Sequence, residues 1–145
     1  MKNVCLVIGA GAGIGGTVAT KFATEGHHSV LCRRSDQSGL DTLVADIEAN
    51  GGTATGLLLN ATEENAIEKL VDHVDNEIGP IETVLFNLGA QIGNRSLADT
   101  SLKMFSLGWQ MATFALFRTA KAVIPNMLER EGGSILVTSA TAAVR

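Results

Sequence analysis

Short apolar runs alternate along the chain with segments in which apolar residues recur every three or four positions. The first run, Val4–Ile8, has no polar interruption, which is typical of a strand buried on both faces of a parallel sheet. Similar runs at residues 29–32, 54–59, 81–86 and 134–138 predict further strands. Helical periodicity lies between them, so the sequence predicts an α/β fold with right-handed crossovers.

The ends of the predicted helices carry residues that start or stop a helix. The first helix begins at Ile14, and Gly26 is placed to end it. Candidate caps for the second helix are Ser35, Asp36 and Ser38. Thr62 is the expected N-cap of the third helix, with acidic residues directly behind it.

A long helical region covers about residues 100–130, and we expect a break near Gly108. Its apolar residues spread around much of the circumference. Such a helix must be covered by the sheet on one side and by something else on another. A subunit partner, as in a homo-oligomer, and a missing part of the chain are the two alternatives.

A glycine cluster directly follows the first strand. Two spacings compete within it, Gly11-x-Gly13-x-x-Gly16 and Gly9-x-x-x-Gly13-x-Gly15. The second spacing puts its first glycine immediately after the strand, where a tight turn is needed, so we prefer it. A strand, a glycine turn and a helix together present backbone N–H groups and a positive helix end to a phosphate.

Each glycine of the preferred spacing has an expected role. Gly9 makes the turn, while Gly13 and Gly15 leave room for a pyrophosphate and for close packing of helix on strand. Ile14 begins the helix whose N-terminus faces the phosphate. The cluster therefore predicts a dinucleotide site.

The second predicted strand is followed by Arg33 and Arg34, where a dinucleotide fold brings the adenosine ribose. An acidic side chain there binds the 2′-hydroxyl of NAD, whereas an arginine suits the 2′-phosphate of NADP. The arginines favour NADP(H) over NAD(H).

Composition restricts the number of domains, the partners and the compartment that we expect. A chain of 145 residues with 46% hydrophobic and 18% charged residues is expected to form one packed domain. The net charge of −4 argues against nucleic-acid and anionic-membrane partners. No residues have metal-ligand spacing, and Arg118 and Lys121 interrupt the most apolar helical region. Cys5 and Cys32 lie in predicted strands, and buried free thiols favour a cytoplasmic protein.

Three motifs, in order, resemble those of the short-chain dehydrogenase/reductase family. They are Gly9-x-x-x-Gly13-x-Gly15, Asn87-Leu88-Gly89, and the segment 133–139 that ends in Ser139. Essentially all 145 residues of this chain take part in the resemblance, and they resemble the amino-terminal part of the family's proteins. It implies a Rossmann-like, doubly wound parallel sheet that binds a dinucleotide.

The resemblance also implies chemistry, namely hydride transfer between NAD(P) and a small carbonyl or alcohol substrate. Ser139 would polarise the substrate oxygen, and Asn87 and Gly89 would lie near the nicotinamide-side ribose. Asn60, followed by Ala61, stands where the family's aspartate contacts adenine, and its side-chain oxygen could accept the same hydrogen bond.

The chain also departs from this family. The family's general acid/base is a tyrosine with a lysine four residues later, and this sequence contains no tyrosine. Ala112 stands where a relay asparagine is expected. We interpret residues 1–145 as one Rossmann domain of an NADP(H)-dependent oxidoreductase, with a sheet incomplete at its carboxyl-terminal side and an incomplete catalytic set. The alternatives are a non-catalytic dinucleotide-binding regulatory module and an interaction subunit.

Overall fold

The computed structural model describes residues 1–89 and 95–140. The strands are β1 (Val4–Ile8), β2 (His28–Arg33), β3 (Thr53–Leu58), β4 (Ile81–Phe86) and β5 (Ser134–Val137). The α-helices are α1 (Ile14–Thr24), α2 (Gln37–Ala49), α3 (Ala66–His73), α4 (Leu102–Trp109) and α5 (Ala115–Glu129). Short π-helical segments, Val74–Ile78 and Gln110–Phe114, extend α3 and join α4 to α5.

The strands form one parallel sheet in the order β3-β2-β1-β4-β5. The chain winds outward from β1 through β2 to β3, and then crosses to the other side of β1 to form β4. The connections that leave β1 and β4 therefore diverge, which opens a crevice at their carboxyl ends. This topology confirms the predicted Rossmann-like parallel sheet.

Helices cover both faces of the sheet, as a doubly wound fold requires. On one face α1 and α2 pack against alternate strand residues, among them Cys5, Val7, Leu31 and Leu85. On the other face α3 and α5 cover the intervening residues, among them Leu6, Ile8, Val84 and Phe86. Because successive strand residues point to opposite faces, β1 is buried along its whole length and has to be apolar throughout.

Some predicted boundaries differ from the observed ones by a residue. β2 is one residue longer at each end, β3 lies one residue earlier, and β5 ends at Val137. β5 is an edge strand, and the side chains of Leu136 and Val137 are 44% and 48% exposed. Among the described residues, the β5 side of the sheet is thus an open edge.

The predicted start of the third helix at Thr62 is wrong. The helix begins at Ala66, and Asn65 occupies the N-cap position. The Thr62 hydroxyl and backbone N–H both donate to the side-chain oxygen of Asn60, at 2.8 and 3.2 Å. This local bonding holds the segment in turns and delays the helix by about one turn.

The expected break near Gly108 is also wrong, because the chain stays helical from residue 102 to residue 129. Instead, the π-helical segment Gln110–Phe114 widens the helix just beyond that glycine. Several large apolar side chains of this region stay exposed: Leu102, Phe105, Trp109, Phe117, Ile124 and Leu128. The sheet covers only the opposite stripe, which includes Ala115, Thr119, Val123 and Met127.

The sequence after Gly89 predicts a loop from Ala90 through Arg95, of which residues 90–94 lie outside the described residues. Across residues 1–89 and 95–140, no helix is long and apolar enough to cross a membrane. The same ranges hold no group of three or more histidine, cysteine, aspartate or glutamate side chains suited to a metal ion.

Both cysteines are buried free thiols, as expected. Burial raises the pKa of Cys5 and of Cys32 to about 12, since the thiolate loses its hydration in the core. Neither thiol is therefore a candidate nucleophile.

Candidate functional site

The turn after β1 is built around Gly9. Its φ of +99° lies in the region that favours glycine, and its N–H and that of Ala10 both donate to the Cys32 carbonyl, at 2.9 and 2.8 Å. A Cβ at Gly9 would stand 2.6 Å from the carbonyl oxygen of Asn87. The positive φ and the close approach of Asn87, directly after β4, thus both require glycine here.

The first turn of α1 packs directly on that loop. A Cβ at Gly15 would stand 2.5 Å from the Gly9 carbonyl oxygen, and one at Gly16 would stand 2.5 Å from the Gly11 carbonyl oxygen. Both competing spacings therefore contain a glycine needed for close packing. Only the preferred spacing also contains the turn residue.

The other two positions predicted for the phosphate face open space. Gly13 is the N-cap of α1, and a Cβ there would meet no atom within 4 Å. Ile14 is the first residue of the helix, and its side chain is 59% exposed. The N-terminus of α1 is consequently accessible at Gly13 and Ile14, as an anion site requires.

Asn87 joins the end of β4 to the glycine turn. Its backbone N–H donates to the Ile8 carbonyl at 2.8 Å, and its side-chain amide donates to the Gly9 carbonyl at 2.9 Å. Gly89, two residues on, is exposed, and a Cβ there would meet no neighbour within 4 Å. The motif residues thus lie at the carboxyl edge of the sheet, beside the crevice.

The arginine pair lies at the end of the neighbouring strand. Arg33 is half-buried, with 26% of its side chain exposed, and its Nη1 stands 3.2 Å from Oδ2 of Asp36. Arg34 is exposed. Both cations therefore lie at the edge where the glycine turn is found.

A small recess of about 70 Å³ opens beside Arg34. Its other walls combine apolar side chains with one amide and one hydroxyl: Leu59, Asn60, Ala61, Thr62, Leu88, Leu107 and Met111. Asn60 is already engaged, because its oxygen accepts from Thr62 and its Nδ2 donates to Oε1 of Glu63 at 3.1 Å. A contact between Asn60 and adenine stays a prediction, and it would require this oxygen to accept a further bond.

Arg118 of α5 holds the loop that forms this recess. Its guanidinium donates to the carbonyl oxygens of Ala61 and Glu63 at 3.1 and 3.0 Å, and it forms two bonds with the carboxylate of Glu68, at 2.9 and 2.5 Å. The hydrogen bonds from Arg118 hold the pKa of Glu68 below its usual value. The long helix thus fixes the rim of the recess.

Replacing Glu68 with glutamine is expected to lower the free energy of unfolding by about 1 kcal/mol at pH 7, because the pair is charged and bidentate but 43% of the glutamate side chain is exposed. The folded-state pKa is depressed, so this contribution is full above the unfolded-state pKa of about 4.3 and disappears as the pH falls through the folded-state value. Urea titrations of both proteins between pH 3 and pH 7 measure it.

The matched control is Glu25→Gln, which removes an exposed ion pair with Lys21. We expect no measurable change from this control. A difference between Glu68→Gln and the parent chain that stays constant down to pH 3 would contradict the charge-based reason.

Ser139 follows β5 and is exposed. Strand pairing continues up to it, because the Thr138 N–H donates to the Phe86 carbonyl at 3.1 Å. The serine therefore lies at the same edge of the sheet as Asn87, and its catalytic role stays a prediction. Ala112, at the position of the expected asparagine, lies within the π-helical segment.

Sequence reasoning missed two features of this edge. The Glu68–Arg118 clamp joins residues far apart in the chain, and its only signal was an arginine within an apolar helical region. The second feature is the arrangement of Asp36 and Gly39 around Arg33. Its signal was a glycine in the first turn of a predicted helix, where alanine is the better helix former.

Comparison with known proteins identifies relatives of this chain. The family model for short chain dehydrogenase matches residues 3–145. A short chain dehydrogenase of Pseudocercospora fijiensis is 32% identical over 142 residues, which are 97% of this chain and 46% of that protein. The chain spans about half the length of the curated relatives it matches, from 43% to 55%.

Solved structures share the fold over nearly the whole chain. A short-chain dehydrogenase from Rhodopseudomonas palustris matches with a TM-score of 0.91 and 36% identity, over 99% of this chain and 66% of that one. A 7α-hydroxysteroid dehydrogenase complexed with NADH and 7-oxo glycochenodeoxycholic acid matches with a TM-score of 0.90 and 27% identity, over 99% and 55%. With its parallel sheet, its glycine turn and a family model that covers almost all of it, the chain belongs to the short-chain dehydrogenase/reductase family of oxidoreductases.

Proposed function

We propose that the chain binds NADP(H) at the carboxyl edge of its sheet and serves hydride transfer between the nicotinamide and a small carbonyl or alcohol. The observation that carries this proposal is the glycine turn at the point where the strand order reverses, beside a β2 that ends in Arg33. NAD-binding folds place an acidic residue at that end of β2. An arginine there favours the 2′-phosphate of NADP(H).

Each part of the cofactor has a proposed place. Gly13 and Gly15 would face the pyrophosphate at the N-terminus of α1. Asn60 and Ala61 would border the adenine. The remaining assignments are Arg33 and Arg34 at the 2′-phosphate, and Asn87 and Gly89 near the nicotinamide-side ribose. NAD(H), which one matched structure holds as NADH, is the competing ligand.

The bound dinucleotide would supply or accept the hydride. Within these residues, Ser139 would donate a hydrogen bond to the substrate oxygen and so polarise it. The sequence contains no tyrosine, the general acid/base that family resemblance implies. We therefore propose that these 145 residues bind the cofactor but do not catalyse hydride transfer by themselves. The relatives are dehydrogenases, and they give no support to a regulatory module.

The exposed and buried residues support proposals on the oligomeric state, the partners and the cellular compartment. The exposed apolar residues between positions 102 and 129 suit pairing with a second copy of the chain, so we propose a homo-oligomer through this helix. The acidic balance, a net charge of −4, gives no support to a nucleic-acid partner. Two buried free cysteines favour the cytoplasm.

The test is a titration of the chain with NADPH and with NADH, following Trp109 emission and the melting temperature together. We expect both coenzymes to stabilise the fold in a saturable way, NADPH at lower concentration. A folded sample that responds to neither would contradict the proposal. Stronger stabilisation by NADH than by NADPH would overturn the preference for NADP(H), but it would still support a dinucleotide site.

A further inference from the structure

We propose that Asp36 and Gly39 are positioning residues that set the place of the Arg33 guanidinium, and thereby how strongly the chain prefers a 2′-phosphorylated adenosine. This inference rests on the proposed function, since it concerns the arginine assigned to the 2′-phosphate. It deepens that assignment by naming the residues that decide its strength.

Asp36 holds Arg33 from one side. Its Oδ2 stands 3.2 Å from Nη1 of Arg33, while its Oδ1 accepts the Gly39 N–H at 3.0 Å and the Ser38 hydroxyl at 3.3 Å. The carboxylate is thus tied to the first turn of α2, for which Asp36 is the N-cap. The arginine is anchored through it to the helix.

Asp36 adopts a left-handed backbone conformation, with φ and ψ both 68°. This conformation is uncommon for a residue with a side chain, although aspartate and asparagine tolerate it best. The N-cap of a helix is normally extended instead. The turn after β2 therefore has a shape that brings the carboxylate back toward Arg33.

Gly39 provides the room for this ion pair. A Cβ at this position would overlap Oδ2 of Asp36 and stand 2.7 Å from Nη1 of Arg33. Its neighbours are the ends of two flexible side chains and not backbone, so a methyl group would displace both the guanidinium and the Asp36 carboxylate that caps α2. No left-handed backbone requires glycine here, since Gly39 is not among the positive-φ glycines of residues 1–89 and 95–140, which are Gly9, Gly26 and Gly51.

The two residues act in opposite directions. The negative charge of Asp36 compensates Arg33 and repels a phosphate that approaches it, so Asp36 weakens the preference for a 2′-phosphate. The missing side chain of Gly39 lets the guanidinium stay at the edge of the sheet, so Gly39 strengthens that preference. The half-buried Arg33 guanidinium thus stays at the edge of the sheet, while Asp36 neutralises part of its charge.

The experiment is calorimetric titration of the full chain with 2′,5′-ADP and with 5′-AMP, which differ only in the 2′-phosphate. For Asp36→Asn, whose amide oxygen still caps the helix, we expect about fivefold tighter binding of 2′,5′-ADP and unchanged binding of 5′-AMP. Because the effect is electrostatic, it should shrink as salt is raised. Asp46→Asn, which removes the same charge further along α2, is the matched control and should change neither.

For Gly39→Ala we expect about tenfold weaker binding of 2′,5′-ADP and unchanged binding of 5′-AMP. The unchanged binding of 5′-AMP separates a positioning role from a merely structural one, which would weaken the binding of both probes. A drop in melting temperature accompanied by equal losses for both probes would contradict the positioning role.

The outcomes distinguish the inference from the function it rests on. If the folded parent chain binds neither probe, the proposed nucleotide site is wrong and this inference is wrong with it. If the parent chain binds both probes but the ratio of their affinities stays the same in Asp36→Asn and Gly39→Ala, the nucleotide site stands and the inference is overturned.

Discussion

Replacing Gly9 with alanine is expected to lower the free energy of unfolding by about 2–4 kcal/mol, a large part of a domain's stability. Two costs add at this position. The φ of +99° is unfavourable for a side chain, and the new Cβ would stand 2.6 Å from the Asn87 carbonyl oxygen, which belongs to backbone and cannot rotate away. Equilibrium unfolding in urea, read from Trp109 fluorescence, measures the change.

Substitutions at two other glycines separate the cost of the positive φ from the cost of the close contact. Gly26 has a φ of +97° but open space around it, so Gly26→Ala is expected to lose only about 1 kcal/mol. Gly11 has open space and no positive φ, and Gly11→Ala should be nearly neutral. If Gly9→Ala costs no more than Gly26→Ala, the close approach of β4 to the turn is not what constrains Gly9.

Replacing Arg33 with glutamine is expected to weaken NADPH binding about 10- to 100-fold and to leave NADH binding within about threefold. A charge-assisted bond to a phosphate contributes about 1.5–3 kcal/mol, and each 1.4 kcal/mol is about a factor of ten in affinity. Only NADPH carries the 2′-phosphate, so only its affinity should fall. Parallel titrations with both coenzymes measure the ratio.

Arg34→Gln serves as the comparison, because Arg34 is exposed whereas only 26% of the Arg33 side chain is exposed. We expect a smaller loss of NADPH affinity from it, since an exposed arginine is more strongly screened by solvent and salt. Equal losses of NADPH and NADH affinity in Arg33→Gln would show that Arg33 does not distinguish the two coenzymes. The urea midpoint of each variant checks that the fold is unchanged.

Much of the fold could be predicted because the patterns are local. The apolar run of β1 and the glycine behind it predict a buried strand that turns sharply, and β1 is indeed buried along its whole length and followed by the turn at Gly9. The predicted starts and breaks of helices were less successful. Thr62 was expected to cap a helix, yet its hydroxyl bonds to Asn60 instead, a choice between two local partners that propensity does not resolve.

The long helix is a second case in which a local sequence signal predicted the wrong helix boundary. Gly108 is a poor helix former, yet the chain passes through it as helix, although α4 has no buried residue and the buried stripe begins only at Ala115. A glycine costs a helix only about 1 kcal/mol relative to alanine, which does not by itself end the helix. The helix adapts by widening at Gln110–Phe114 and does not break.

By itself, the sequence determined the alternation of strands and helices, the buried central strand, the glycine turn that follows it and the resemblance to a family, because each depends on residues close together in the chain. Only the tertiary structure decided which distant side chains meet: Asn87 on the glycine turn, and Arg118 on Glu68 and the recess loop. It also decided the place of Arg33 between Asp36 and Gly39. Such contacts depend on backbone geometry at ångström scale, and hydrophobic periodicity carries no information about it.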